Sequence, residues 1–93
     1  MNYFSWNDEK NERLKKDRGV SFEEVVFHIE RDELPEIVEH PKQEKYKGQR
    51  MFIVNIEDYA YLVPFIETEV EVFLKTIIPS RTATKKYLKR KTK

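Results

Sequence analysis

The residues that most directly indicate chemistry are Ser80 and Arg81, which follow an apolar stretch and open a basic segment. Ser80 suits an N-cap position, because its hydroxyl can accept a hydrogen bond from an N–H group of the first helical turn. Arg81 then stands first in the helix, where the positive end of the helix dipole favours acidic residues. Free N–H groups beside a guanidinium form an anion site, and the commonest biological anion for such a site is phosphate. Arg81 therefore either binds phosphate or belongs to a solvated basic end and pairs with an acid elsewhere.

Basic charge is concentrated at the C-terminus. Residues 1–80 contain 11 Lys and Arg against 17 Asp and Glu, whereas residues 81–93 contain 7 Lys and Arg and no acid. This asymmetry indicates a polyanion or an acidic protein as partner. Part of the segment is predicted to cover the outer face of a C-terminal helix and to bind phosphates without reading sequence, unless it is simply a solvated run of charge. These cations are Lys85, Lys86, Lys89 and Arg90.

Length and composition limit the class of protein. A chain of 93 residues predicts a single domain over 1–93 with one modest core. The absence of cysteine excludes a disulfide framework, a cysteine nucleophile and thiolate zinc sites, and it suits a reducing cytosol. No apolar run approaches the roughly 20 residues that span a bilayer, and residues 1–8 lack the features of a signal peptide. We therefore expect a cytoplasmic protein with no membrane partner, and no metal, because no His, Asp and Glu set has ligand spacing.

Two N-terminal helices are predicted. The first runs from about 8 to 17, with Asn7 as N-cap and Gly19 as the residue that ends it. The second runs from 22 to 31 behind a capping box at Ser21–Glu24. Its apolar residues follow helical spacing and predict one buried stripe, formed by Phe22, Val25, Val26 and Ile29.

The remaining pattern predicts strands at 2–6, 36–40, 50–57, 59–66 and 70–78. Pro64 lacks a ladder donor and places its strand at an edge or a bulge. Strict alternation over 70–78 puts Lys75 on the face opposite Val72 and Leu74. The links near 58 and 68 are short and force antiparallel neighbours. We therefore predict an α+β fold in which two N-terminal helices pack on a twisted antiparallel sheet of about four strands, followed by a basic C-terminal helix.

Several short motifs occur in an order that resembles the BrnT toxins. They are Phe4-x-Trp6-Asn7-x-x-Lys10-Asn11, the helix break before Gly19-Val20-Ser21-Phe22-Glu23-Glu24, and Ser80-Arg81-x-Ala83-x-x-x-Tyr87. The chain departs from that family at Asp17-Arg18-Gly19, where Lys-His-Gly is common, and at Ile78-Pro79. The resemblance implies a RelE-like fold and an endoribonuclease of a type II toxin–antitoxin module. It also implies a hetero-oligomer with a DNA-binding antitoxin encoded beside it.

Metal-free RNA cleavage uses the 2′-hydroxyl as nucleophile. It needs a proton acceptor, cations that stabilise the phosphorane, and a proton donor for the leaving 5′ oxygen. Arg81 and Lys75 are the candidate cations, and Arg50, at the start of a neighbouring strand, is a further candidate for binding RNA.

His40 and Tyr87 are the candidates for proton transfer. Histidine changes protonation near neutral pH, and His40 closes a strand beside a charged loop; the alternative is an ordinary histidine at a strand end. Tyr87 lies under two turns after Arg81, and the alternative is a core aromatic residue packed beside Ala83.

Two other classes of function fit the same residues. A nucleic-acid-binding module would use the basic helix to bind RNA or DNA without turnover. An interaction domain would use the basic tail to bind an acidic protein. An inactivated toxin would also keep all of these features.

Overall fold

Six strands, two helices and a short C-terminal helical segment make up the chain in the computed structural model, which describes residues 3–31 and 36–88 without the side chain of Leu88. Strand β1 spans Tyr3–Ser5, helix α1 Asp8–Arg18 and helix α2 Phe22–Arg31. Strands β2 to β6 span Glu36–Glu39, Arg50–Ile56, Tyr59–Glu67, Glu71–Leu74 and Ile78–Pro79. Helix α3, Arg81–Ala83, continues into a π-helical turn over Thr84–Leu88. The predicted α+β class is confirmed.

The two N-terminal helices have the predicted caps. The Asn7 side chain accepts a hydrogen bond from the Lys10 N–H at 2.8 Å, and Gly19 ends α1 with φ at 70°. The Ser21 hydroxyl accepts from the Glu24 N–H at 3.1 Å. Local capping therefore sets both ends of α1 and the start of α2. Helix α1 extends one residue beyond the predicted end.

The sheet differs from the prediction of about four antiparallel strands. Its order is β1-β5-β4-β3-β2, and β6 pairs with β4 beyond the end of β5. Strand β1 runs parallel to β5, whereas the other pairs are antiparallel. The prediction was wrong because β1 adds a parallel edge and because the stretch 70–78 forms two strands.

The break between β5 and β6 has a packing cause. Leu74 and Ile77 are both fully buried in the same core cluster. Residues an odd number of positions apart face opposite sides of a regular strand, so one continuous strand would turn Ile77 away from that core. The chain leaves strand geometry at 75–77, and the alternation predicted beyond Leu74 is therefore wrong.

Pro64 lies beside this break. Strand β4 is central, between β3 and β5, so the predicted edge position is wrong. The Pro64 carbonyl accepts a hydrogen bond from the Lys75 N–H at 2.8 Å. Because the nitrogen and carbonyl of a strand residue point to the same side, the missing donor of Pro64 faces the segment where the regular ladder has ended.

The main core lies between the helices and one face of the sheet. Trp6 stacks on Phe22 with ring centroids 5.7 Å apart, and Phe4 and Trp6 both pack against the core from the N-terminal edge. Each large side chain buried here contributes about 1.5–3 kcal/mol. The buried cluster comprises Leu14, Val20, Phe22, Val25, Ile29, Phe52, Val54, Ile56, Val63, Phe65, Val72, Leu74 and Ile77.

Candidate functional site

The loop 40–49 between β2 and β3 is organised by one amide side chain. Gln43 Nε2 donates to the carbonyls of His40 and Gln49 at 2.7 and 3.3 Å, and its Oε1 accepts from the Gly48 N–H at 3.1 Å. The His40 N–H donates to the Gln49 carbonyl at 2.9 Å, so the β2–β3 ladder continues into the loop. These bonds hold the loop in one shape, in which Tyr46 contacts residues from both ends of the loop and from the segment after β5.

Four side chains meet there, and we call them the Tyr46 cluster: His40, Tyr46, Gln49 and Lys75. The His40 and Tyr46 rings lie 4.3 Å apart between centroids and are tilted by 32°. Lys75 Nζ lies 5.6 Å from the Tyr46 ring centroid and donates to Gln49 Oε1 at 3.4 Å. The structure therefore brings together two predicted site residues, His40 and Lys75, with Tyr46 between them.

Lys75 reaches this position because of the strand break. Its N–H donates to the Pro64 carbonyl at 2.8 Å, and its side chain contacts Tyr46 and Gln49, whereas Leu74 lies in the buried core cluster. Among the described residues the structure shows no carboxylate within ion-pair distance of Lys75 Nζ, whose contacts are the Tyr46 ring and Gln49 Oε1. A half-buried ammonium group next to an aromatic ring and an amide oxygen is a suitable ligand for an anion.

The hydrogen bonding of His40 limits its chemistry. Its Nδ1 accepts a hydrogen bond from the Lys42 N–H at 3.1 Å. In the neutral imidazole one nitrogen accepts and the other carries the proton, so this bond places the proton on Nε2. His40 is therefore arranged to donate a hydrogen bond from Nε2. It would act as a base at Nε2, or transfer a proton from Nε2 as an imidazolium, only after losing its bond from the Lys42 N–H.

Arg50 lies beside the cluster in a cleft of its own. Its guanidinium donates to Glu67 Oε1 at 2.7 Å and lies 5.3 Å from the Phe65 ring centroid. Residues 47–50 and 65–67 line a cleft of about 560 Å³, which we call the Arg50 cleft. Gln49 belongs to both the cleft and the Tyr46 cluster, so the two are adjacent.

Arg81 begins the C-terminal helical segment as predicted, and the backbone leading to it is anchored to a different part of β4 from that of Lys75. Ser80 Oγ accepts from the Ala83 N–H at 3.0 Å, which confirms the N-cap. The Ser80 N–H donates to the Ala60 carbonyl, whereas the Lys75 N–H donates to that of Pro64. These anchors are about 13 Å apart along β4 at roughly 3.3 Å per residue. The contacts of the structure group Lys75 with Tyr46, Gln49 and His40, and the expected grouping of Arg81 with Lys75 around one phosphate stays a prediction.

The other predicted RNA-binding residues lie on the C-terminal segment. Lys85 and Lys86 are exposed, and Tyr87 is half-buried with Lys86 Nζ 5.4 Å from its ring centroid. Ala83, the expected neighbour of Tyr87, is buried. Lys89 and Arg90 lie outside the described residues.

Sequence reasoning missed Tyr46, Gln49 and Gln43. The available signal was an aromatic residue in a charged loop, at Lys45-Tyr46-Lys47, because a ring flanked by cations is typical of a surface that binds bases or phosphates. Gln43 and Gln49 gave no signal, since their roles depend on how the loop closes.

No group of three or more His, Asp or Glu side chains in the described ranges is arranged to hold a metal ion. In those same ranges no helix has the length and apolar character needed to cross a membrane. Comparisons with protein-family models, curated proteins and solved structures gave no match.

Proposed function

We propose that this chain is the toxin of a type II toxin–antitoxin module, with a RelE-like fold, and that it cleaves RNA without a metal. The observation that carries the proposal is the Tyr46 cluster, in which an imidazole and an unneutralised ammonium group contact one aromatic ring. The motifs shared with BrnT toxins and the basic segment 81–93 support the same function.

Each cluster residue has a distinct role in this proposal. The Lys75 ammonium binds the scissile phosphate and stabilises the additional charge of the phosphorane. His40 Nε2–H donates a hydrogen bond to a non-bridging oxygen of that phosphate. To protonate the leaving 5′ oxygen, His40 must first become an imidazolium with loss of the bond from the Lys42 N–H, and it then returns to the neutral imidazole. The base that activates the 2′-hydroxyl is not assigned by the contacts of the cluster.

Arg81 and the basic helical segment bind further phosphates of the same strand. The separation of about 13 Å along β4 at roughly 3.3 Å per residue fits a contact with a different phosphate from that of Lys75. A DNA-binding antitoxin with an acidic segment would cover Lys85 and Lys86, form a hetero-oligomer and block this surface.

A second function, binding of RNA or DNA without cleavage, is favoured by one specific observation. The bond from the Lys42 N–H to His40 Nδ1 leaves His40 as a donor, and proton abstraction needs an acceptor. If the Tyr46 cluster offers nucleic acid only hydrogen-bond donors and positive charge, it binds the phosphates but has no group to accept the proton of the 2′-hydroxyl, and the strand is not cut.

Lys75→Ala tests the proposal against this alternative. Expression of the wild-type chain should arrest bacterial growth and fragment cellular RNA, and Lys75→Ala should reduce the cleavage rate of purified protein about 10²–10³-fold, as loss of an electrostatic donor does. Lys16→Ala, on the exposed surface of α1, is the matched control and should behave as wild type.

The outcomes separate the two functions. Normal growth and intact RNA with folded wild-type protein, together with RNA binding that Lys75→Ala weakens, would reject cleavage and leave the binding module. Cleavage that continues unchanged in Lys75→Ala would remove the Tyr46 cluster from the reaction.

A further inference from the structure

We infer that the Arg50 cleft selects guanine, which it binds in place of the guanidinium group of Arg50. The inference rests on the proposed function, because that function places a phosphate of the RNA at the Tyr46 cluster, and the Arg50 cleft adjoins this cluster. It adds a base-specific subsite to that function.

The size and lining of the cleft fit one nucleotide. Its volume of about 560 Å³ lies within the usual range for a small-molecule site. Phe65 and Ile66 supply apolar surface, Gln49 an amide, and Arg50 and Lys47 positive charge at the same place. This combination suits a flat heterocycle joined to a phosphate.

The selectivity follows from the group that Glu67 already binds. Its carboxylate accepts from a guanidinium Nη2 at 2.7 Å. Guanine presents N1–H and N2–H on either side of one carbon, which is the same N–C–N arrangement of donors that a guanidinium presents to a carboxylate. Adenine, cytosine and uracil do not offer two adjacent donors on the Watson–Crick edge, so they match Glu67 less well.

The exchange replaces one charge pair of the cleft with another. When guanine binds the Glu67 carboxylate, the Arg50 guanidinium no longer pairs with Glu67 and can bind the nucleotide phosphate. Glu67 and Arg50 are 42% and 44% exposed in their side chains, so both can change partners without opening the core.

Mononucleotide binding tests the inference with probes that the protein cannot cleave. The full chain is titrated with guanosine, inosine, adenosine, cytidine and uridine 3′-monophosphates at low salt. Inosine keeps N1–H but lacks the 2-amino group. We expect the guanosine nucleotide to bind about tenfold or more tightly than the inosine and adenosine nucleotides, which is the discrimination given by a bidentate base contact.

Glu67→Gln should abolish this preference, because an amide offers one acceptor and one donor in place of two acceptors. Glu69→Gln, in the exposed turn that follows, is the matched control and should retain it. Equal binding of the five nucleotides, no binding of any of them, or a guanosine preference that persists in Glu67→Gln would overturn the inference.

The result is independent of RNA cleavage. A guanosine preference in a protein that leaves RNA intact would reject the proposed function and keep the subsite. RNA cleavage by a protein without the preference would do the reverse.

Discussion

Asn11 joins the two N-terminal helices by hydrogen bonds at both ends of its side-chain amide. It is 3% exposed, and it is the buried polar side chain of the described residues. Oδ1 accepts from the Phe22 N–H at 2.8 Å, and Nδ2 donates to Glu23 Oε1 at 2.8 Å. Asn11 therefore satisfies an N–H group at the start of α2 that the helix itself cannot satisfy.

Asn11→Ala should lower the free energy of unfolding by about 1–3 kcal/mol, because it leaves the buried Phe22 N–H without a partner. Chemical denaturation monitored by circular dichroism measures the change. Lys16→Ala, on the exposed side of the same helix, should leave the midpoint where it is in wild type.

The pH dependence of stability gives an independent check on the same contact. The hydrogen bond from Asn11 is the main cause that holds the pKa of Glu23 below its ordinary value of 4.5. A lowered pKa in the folded state means that the stabilisation is present above pH 4.5 and is lost as pH falls through the folded-state pKa. Asn11→Ala should reduce the decrease in the free energy of unfolding that occurs as pH falls below 4.5. If the variant and the wild type lose the same stability over this pH range, the hydrogen bond between Asn11 and Glu23 is not formed.

At the scale of elements, the C-terminus of α1 and the break after β5 form one structural unit. The Arg18 guanidinium donates to the Ile77 carbonyl at 2.6 Å, and the Gly19 N–H donates to the Lys15 carbonyl at 3.1 Å. The left-handed Gly19 lets the chain turn directly into α2. The end of the helix thus supports the irregular segment that positions Lys75.

Gly19→Ala should destabilise the protein by about 1 kcal/mol, the cost of a left-handed conformation in a residue with a Cβ atom. Beyond the two neighbouring residues of the chain, no atom lies within 4 Å of the position that a Cβ would occupy, so the cost is conformational and not a clash. Gly19→Asn adds a Cβ at the same place but tolerates this conformation better, and it should lose less stability. Equal losses for the two variants in thermal denaturation would contradict this explanation.

Elements with local signals were predictable, and elements that depend on distant packing were not. Helix α2 has the predicted bounds of 22 and 31 because Ser21 caps it and its apolar stripe has helical spacing. The break at 75–77 was missed because it depends on the burial of Ile77 beneath helices far away in sequence. The parallel pairing of β1 with β5 was missed for the same reason.

The whole molecule has an uneven distribution of charge. Residues 81–93 contain 7 of the 18 Lys and Arg residues and none of the 17 acids. If the proposed RNA binding is correct, this segment should contribute mainly through release of counterions, which makes affinity depend on salt concentration.

Deletion of residues 89–93 removes four cations and should reduce the slope of log affinity against log salt concentration by up to about 3, at roughly 0.7 for each phosphate contact to a single strand. Binding of a short single-stranded RNA, measured by fluorescence anisotropy at several salt concentrations, gives this slope. The triple variant Lys10→Ala, Arg13→Ala and Lys16→Ala on α1 is the control for net charge. An equal reduction of the salt slope in the control would mean that residues 89–93 contribute only net charge and have no specific part in binding.

Two of the four residues of the Tyr46 cluster were predictable, but their grouping was not. Lys75 and His40 were identified from residue type and position, whereas their meeting at Tyr46 depends on Gln43 closing the loop 40–49. Arg81 was identified from its helix start, and the backbone leading to it and that of Lys75 are anchored separately, at Ala60 and Pro64. Pairwise geometry of this kind is set by the sheet register, which depends on packing between distant residues and is not visible in a local sequence pattern.

The stacking of Trp6 on Phe22 makes the protein its own optical probe. Trp6 is the single tryptophan of the chain, so all tryptophan emission originates where β1 meets α2 in the core. A shift of that emission to longer wavelength would report separation of the N-terminal strand from the helices, without a label or an engineered chromophore. Nucleotide added to the Arg50 cleft should leave it unchanged, so stability and binding can be followed in the same cuvette by different signals.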